Sequence, residues 1–293
     1  MQPFRVAIAG LGTVGAETAR IILTDGDMLS ARAGRPIELK AVSARDRSRD
    51  RGIDLAGVDW VDDAAALAGR DDIDCVLELI GGSEGVAYDL VLGAVKSGKS
   101  VVTANKALIA HHGSEIAKYC EEGDVGLGFE AAVAGGIPII KSLREGLAGN
   151  HIKRVYGILN GTCNYIMSVM RETGRSFEDV LADAQRLGYA EADPSFDVDG
   201  IDAAHKLAIL SAIAFGHHVD FENVHVEGVR HVSPQDITFA EELGYRIKLL
   251  GIAEETPEGV QQRVHPCMVK ADTPIGQVED VFNAVVAEGS AVG

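Results

Sequence analysis

The sequence predicts a doubly wound α/β domain built on a parallel sheet, followed by a second unit of α+β type. Three observations predict it: short apolar runs alternate with longer helical patterns in the first half, the first run feeds into Gly10-Leu11-Gly12-Thr13-Val14-Gly15, and the patterning changes after Pro138. Phe4 to Ala9 reads as a strand, and Thr13 to about Leu29 as a helix leaving the glycine turn. Ile37 to Ser43 is a second strand, after a loop with Gly34 and Pro36. Ala64 to Ala68 reads as helical, Asp74 to Ile80 as strand, Val86 to Lys96 as helix and Ser100 to Ala104 as strand. Strands separated by helices of this length need crossovers, hence parallel neighbours with both faces covered.

Val125 to Ala132 is a further apolar run, and Gly135-Gly136-Ile137-Pro138 marks the expected domain boundary. The division is then a dinucleotide-binding domain over 1–137 and a second domain over 138–293, with Pro138 in the first turn of a helix through Leu147. In the second domain, Ile152 to Leu159 reads as strand, and helices are expected near Tyr165 to Arg171, Phe177 to Leu187 and Ile201 to Phe215. Val224 to Val229, Val260 to Lys270 and Ala284 to Val286 read as strands, and Pro234 to Leu249 as one more helix. Helices on one face of a sheet are the expected packing.

Composition narrows the function classes. A chain of 293 residues exceeds what one core usually holds, given domains of roughly 100 to 200 residues. With 44 acidic against 27 basic side chains, the net charge of -17 repels phosphate backbones and anionic membranes, so neither nucleic acid nor membrane is an expected partner. No run reaches the roughly 20 apolar residues of a membrane span. Met1 to Arg5 lead straight into Val6-Ala7-Ile8-Ala9 with no basic n-region, so no signal peptide is expected. The 4 cysteines, Cys75, Cys120, Cys163 and Cys267, form no C-x-x-C pair and fit reduced thiols in a cytoplasmic protein.

The strand-to-helix setting is what makes the G-x-G-x-x-G specific and the domain Rossmann-type. Gly10 permits the tight turn, Gly12 lets backbone N–H groups approach a pyrophosphate, and Gly15 allows close helix–strand packing, so Gly10, Leu11, Gly12, Thr13, Val14 and Gly15 are candidate cofactor residues. An Asp or Glu at the end of the second strand would bind a ribose 2′-hydroxyl, and Arg a 2′-phosphate. Here Ser43 and Ala44 are followed by Arg45, with Arg47 close behind, which favours NADP, with NAD possible because Asp46 lies between them.

Lys106 follows a strand in Thr103-Ala104-Asn105-Lys106, at the carboxyl end of a parallel strand where ligands of open α/β sheets collect, and its ammonium can meet a substrate oxygen. The stretch from Leu187 to Lys206 concentrates acids between two helices, and Asp202 and Lys206 project from one face. Alone, such a pair is a surface bridge worth a few tenths of a kcal/mol, but Ala203, Ala204, Leu207, Ala208 and Ile209 place it at a core edge or cleft. An EF-hand reading of Ser195-x-Asp197-x-Asp199-Gly200 fails because Lys206 falls where a bidentate Glu is required. Cys163 invites a thiol-nucleophile reading that needs a base such as His151, His205 or His217; a structural cysteine near a helix start fits better. The pairs His111-His112 and His217-His218 are poor chelators, because adjacent side chains diverge.

Taken in order, these segments resemble homoserine dehydrogenase over essentially the whole chain. The resemblance is carried by Gly10 to Gly15, Val102 to Lys106, Phe129 to Pro138, Asn160-Gly161-Thr162-Cys163-Asn164-Tyr165, and Gly188 to Lys206. It implies reduction of L-aspartate 4-semialdehyde to L-homoserine with NAD(P)H, on the common path to threonine, methionine and isoleucine. It also implies that Lys206 is the proton donor and Lys106 a second active-site lysine that also contacts cofactor, with Gly188, Glu191 and Asp202 holding the amino-acid substrate. The chemistry is coherent: hydride delivered to an aldehyde leaves negative charge on oxygen, which an ammonium can protonate. The resemblance further implies a monovalent cation, sodium in most of the family, on backbone oxygens of Glu130, Val133, Gly135 and Ile137, and a homodimer formed through the second unit. In the family the chain continues past the strand near Ala284 into a cofactor-closing segment and, in many members, a regulatory domain; this 293-residue sequence is expected to lack both. A different class, a nucleotide-binding scaffold without catalysis, would bind NADP and show no homoserine-dependent turnover.

Overall fold

The computed structural model describes residues 1–291, which form two compact units divided between Ala132 and Val133. In the first unit, β1 (Phe4–Ala9) is followed by α1 (Thr13–Thr24), α2 (Gly26–Ala33), β2 (Ile37–Ser43) and the short β3 (Asp59–Trp60). A 3-10 turn at Ala64–Gly69 precedes β4 (Cys75–Glu78), α3 (Val86–Lys96), β5 (Ser100–Thr103), α4 (Lys106–Gly123) and β6 (Leu127–Gly128). The sheet runs β3-β2-β1-β4-β5-β6 with every pair parallel. Chain order reverses between β1 and β4, the topological switch point at whose carboxyl ends dinucleotides bind. Apolar cores lie against both faces, Ala7, Val76, Leu90 and Leu108 in one and Ile8, Leu39 and Val42 in the other, so central strands read as continuous apolar runs.

Two expectations about this unit are corrected. The helix expected from Thr13 to Leu29 is two helices: Asp25, at φ -108 and ψ 24, closes the first and opens the second, and Gly26 follows it. Helix α4 was not anticipated, although its signals are present: Asn105 caps it, and Ile109, Gly113, Ile116 and Cys120 are buried at helical spacing.

The second unit starts with α5 (Ile139–Lys141), which passes into a π-turn over Ser142–Gly146, so Pro138 stands at the cap and the helix expected through Leu147 loosens early. Strand β7 (Ile152–Ile158) and helices α6 (Gly161–Thr173), α7 (Phe177–Arg186), α8 (Ser195–Val198) and α9 (Ile201–Phe215) follow. Then come β8 (His225–Val226), α10 (Pro234–Glu242), β9 (Tyr245–Thr256), β10 (Gly259–Lys270) and β11 (Ala284–Gly289). The order β11-β7-β9-β10-β8 is antiparallel except where β8 joins β10. The helix expected over Pro234 to Leu249 therefore stops at Glu242, and its last part, from Tyr245, is strand. Gly244, at φ +81, ends the helical turn, and β9 gains backbone partners on both sides, which overrides any helical periodicity. No helix among the described residues is long and apolar enough to cross a membrane.

Candidate active site

In the first unit the glycine turn is shaped by contacts that exclude side chains. A Cβ on Gly15 would lie 1.8 Å from Gly10 O, and one on Gly10, itself at φ +96, would lie 2.3 Å from Leu79 O. Gly12 occupies the cap of α1 with no side chain filling the space before the helix, which leaves the helix N-terminus open to an anion. A cleft of about 510 Å³ opens there, lined by Gly10, Leu11 and Gly12, by Arg45, Arg49 and Arg51 after β2 together with the carboxylates Asp46, Asp62 and Asp63, and by Leu79 and Ile80 after β4. The cradle and the guanidinium groups suit a phosphorylated dinucleotide.

The arginines divide into two kinds. Arg51 donates from Nε to Leu11 O at 3.2 Å, from Nη1 to Arg49 O at 2.7 Å and from Nη2 to Asp46 O at 2.6 Å, pinning the post-β2 loop to the glycine turn. Arg45 and Arg49 face the cleft. Arg47 lies over the Trp60 ring, 5.8 Å from its centroid, rather than beside Arg45 in the cleft. Asp46 accepts from the Ser48 N–H at 2.9 Å and hydroxyl at 2.6 Å, bonds that hold its carboxyl below the usual range and engage one of its oxygens in the turn. Sequence reasoning missed Arg49 and Arg51, which lie beyond the strand end where the cofactor signal is usually sought.

Lys106 is the first residue of α4. A cation at a helix N-terminus opposes the helix dipole, so local stability does not account for it. Asn105 places it: its Oδ1 accepts the Leu108 N–H at 3.1 Å and its Nδ2 donates to Gly82 O at 2.6 Å.

In the second unit the acid-rich stretch folds around Lys206. Its Nζ donates to Asp202 Oδ2 at 2.7 Å and to Leu159 O at 2.8 Å, with the lysine side chain 15% exposed and that of Asp202 6%. The pair belongs to the core edge and not to bulk solvent. Asn160 Nδ2 donates both to Asp202 Oδ2 at 2.9 Å and to Asp197 Oδ1 at 2.8 Å, while Asn160 Oδ1 caps α6 through the Cys163 N–H at 2.8 Å. Burial raises the Asp197 carboxyl above its ordinary range. The sequence places Asn160 in a segment that carries the resemblance and Asp197 in the rejected calcium-loop pattern, but gives neither a role in the site; an Asn opening a helix pattern was the signal available for Asn160.

Gly188 follows α7 at φ +79, a conformation that favours glycine, and its N–H donates to Gln185 O at 3.1 Å. Glu191 is exposed, with its backbone carbonyl held by Gln185 Nε2 at 3.0 Å. Arg230 ion-pairs with Asp199 and donates to Ser195 Oγ at 3.1 Å, closing the other side of this loop. Cys163 is fully buried, its thiol is pushed up by burial and donates to Asp197 O at 3.3 Å, and so it lacks the thiolate environment of a nucleophile. The histidines offered as its base are engaged elsewhere: His151 with Glu255, His217 with Ser211, and His205 between the rings of Phe196 and Phe221.

Of the proposed cation residues, Glu130 opens a 3-10 turn, and the segment containing Val133, Gly135 and Ile137 turns through Ala134 at φ +46 and Gly136 at φ +92. Among the described residues no cluster of three or more His, Cys, Asp or Glu side chains could hold a metal ion.

Comparison with known proteins follows the same division. A family model described as homoserine dehydrogenase, NAD binding domain, matches residues 10–130, and one described as homoserine dehydrogenase matches residues 138–293. A homoserine dehydrogenase of Pseudomonas aeruginosa is 50% identical over 293 residues, covering 100% of this chain and 67% of the relative. A crystal structure of a homoserine dehydrogenase from Thiobacillus denitrificans superposes with a TM-score of 0.96 at 48% identity, covering 100% of this chain and 67% of that one. A hyperthermophilic archaeal homoserine dehydrogenase in complex with NADPH gives a TM-score of 0.83 at 27% identity, covering 100% and 90%. The chain thus spans about two thirds of the length of the first two.

Proposed function

The chain belongs to the homoserine dehydrogenase family, NAD(P)-dependent oxidoreductases that interconvert L-aspartate 4-semialdehyde and L-homoserine, and on that premise we propose how its two units divide the reaction. The observation that carries the proposal is the Lys206 ammonium held by Asp202 and Leu159 O. An ammonium has three donors; two are committed, and the third is what it offers a substrate oxygen. Lys206 donates its proton to the alkoxide as reduction proceeds and takes it back in the oxidative direction. Asp202 orients the ammonium and, with Glu191 and the carbonyl of Gly188, holds the substrate's own ammonium. Lys106 is the second active-site lysine and adds positive charge near the developing oxyanion. The nicotinamide cofactor supplies or accepts the hydride when bound.

The preferred cofactor in this reading is NADP, with Arg45 and Arg49 pairing its 2′-phosphate and Gly10 to Gly15 receiving the pyrophosphate; the arginine-lined cleft supports it. A monovalent cation, sodium in this reading, is held by backbone oxygens of Glu130, Val133, Gly135 and Ile137. Hard, neutral carbonyl donors suit such an ion, and the backbone turns at Ala134 and Gly136 need no side-chain ligands. The protein is cytoplasmic, in keeping with its free cysteines, and works as a homodimer through the second unit. There Phe239, Leu243 and Met268 are 61%, 68% and 52% exposed, an apolar surface suited to a partner. Homoserine-dependent reduction of NADP and of NAD, followed spectrophotometrically, tests the reading. Cofactor binding without homoserine-dependent turnover would overturn it in favour of a non-catalytic nucleotide-binding role.

A further inference from the structure

We propose that Glu78, a residue with no part in the steps above, is a positioning residue for the nicotinamide half of the cofactor. It ends β4 and is 0% exposed, as is Thr103 at the end of the neighbouring strand β5. A buried carboxylate is costly unless its oxygens are bonded, and an apolar residue would join two parallel strands at lower cost. Here both oxygens are used. Oε1 accepts the Ile80 N–H at 2.8 Å and the Gly81 N–H at 3.0 Å, and Oε2 accepts the Thr103 hydroxyl at 2.6 Å.

Those bonds couple two loops. On one side the carboxylate curls the turn after β4, where Gly81 and Gly82 stand at φ +90 and +87, and where Leu79 O packs so closely on Gly10 that a Cβ could not fit. On the other, Thr103 Oγ1 accepts the Asn105 N–H at 2.9 Å, and Asn105 reaches back to Gly82 O while capping the helix that Lys106 begins. One carboxylate therefore sets the register between the glycine turn and the catalytic lysine of the first unit. The arginines after β2 take the adenosine end in the reading above, on which this inference rests, so the nicotinamide end falls to the carboxyl ends of β4 and β5 across the switch point.

Glu78→Gln is the informative change. Its amide offers one acceptor oxygen and an NH2 group with two donors, so either the Thr103 hydroxyl or the paired Ile80 and Gly81 N–H groups must face a donor. In the 293-residue chain carrying this change, 2′,5′-ADP is expected to bind as in the wild type, while NADPH binds about tenfold more weakly, of the order of one lost charge-assisted bond. Bound NADPH should also lose its nicotinamide fluorescence enhancement, and kcat should fall more than KM for homoserine rises. Thr103→Val should reproduce the defect, whereas Thr103→Ser, which keeps the hydroxyl, should behave as the wild type, with Glu78→Gln and Thr103→Val not additive. Wild-type fluorescence and kcat in Glu78→Gln would overturn the inference, as would equal losses of 2′,5′-ADP and NADPH binding, the mark of a purely structural role. If the wild type itself bound no NADPH, the dehydrogenase reading would fall first and this inference with it; a defect confined to the variants bears on Glu78 alone.

Discussion

Lys206 Nζ lies 2.7 Å from Asp202 Oδ2, one helical turn away, on a helix whose residues Ala203, Ala204, Leu207 and Ala208 are buried. At the surface such a spacing is worth little. Set against a buried face, it delivers an ammonium that the protein has already desolvated, oriented and partly neutralised. Replacing Lys206 by Met keeps the aliphatic stem and removes the proton. The expected outcome is a fall in kcat of roughly 10²- to 10⁴-fold, the usual contribution of a positioned general acid, with 2′,5′-ADP binding unchanged. Steady-state kinetics beside a binding titration read both; substantial turnover would remove Lys206 from the role.

The two carboxylates proposed to hold the substrate should separate kinetically. Glu191 is exposed, with its backbone carbonyl held by Gln185, so Glu191→Gln is expected to raise KM for homoserine about tenfold with little change in kcat. Asp202 also orients Lys206, so Asp202→Asn should lower kcat as well as raise KM. Identical kinetic signatures for the two variants would contradict this division of labour.

Cofactor choice should reside in the post-β2 loop. Arg45→Ala and Arg49→Ala are each expected to raise KM for NADP by about 10- to 100-fold, the range of a lost bond to a charged group, and to leave KM for NAD unaltered. Arg51→Ala should weaken both cofactors, because Arg51 ties the loop to Leu11 in the glycine turn. Parallel titrations with the two cofactors distinguish these outcomes.

The sequence makes plain what is local and leaves hidden what is made by tertiary pairing. The glycine turn and strands β1 and β2 are legible because backbone demand dictates residue type at each position. Lys206 and Asp202 are legible because an acid and a base four residues apart in an apolar helix contradict their surroundings. Strand β9 was misread: Tyr245-Arg246-Ile247-Lys248-Leu249 alternates apolar and polar, but the segment was joined to the helix that opens at Pro234, and pairing with β7 and β10 makes it a strand. The link from Asn160 to Asp197 and Asp202 was hidden for a related reason, since it spans 37 and 42 residues and no periodicity marks it. Carbonyl ligands such as Leu159 O leave no residue signature at all.

Cys163 offers a negative control. Its sulfur is buried and bonded to Asp197 O, and burial holds it as a thiol. Cys163→Ser keeps a small donor at that site, and most of the turnover is expected to survive. Slow alkylation of native protein by iodoacetamide, accelerating on unfolding, would accompany it. An inactive serine variant, with unchanged thermal stability, would reopen the thiol mechanism.

Acid should weaken the first unit through Asp74. This carboxylate accepts from the Arg5 backbone N–H at 2.8 Å, from Arg5 Nε at 3.1 Å and from Nη2 at 2.7 Å, joining the start of β1 to the residue before β4. The Arg5 guanidinium holds it below the ordinary aspartate value of 3.8. The unfolded chain therefore takes up the proton first as pH falls. The stabilisation is complete above 3.8 and is lost as pH drops through the lower value of the folded state. Asp74→Asn should accordingly unfold at a lower temperature than the wild type at neutral pH, and the gap should narrow progressively once the pH passes below the ordinary aspartate value. Thermal melts of the two proteins across that range decide the matter: a gap that stays constant would assign the role of Asp74 to packing and neutral hydrogen bonding, because ionisation alone makes the difference depend on pH.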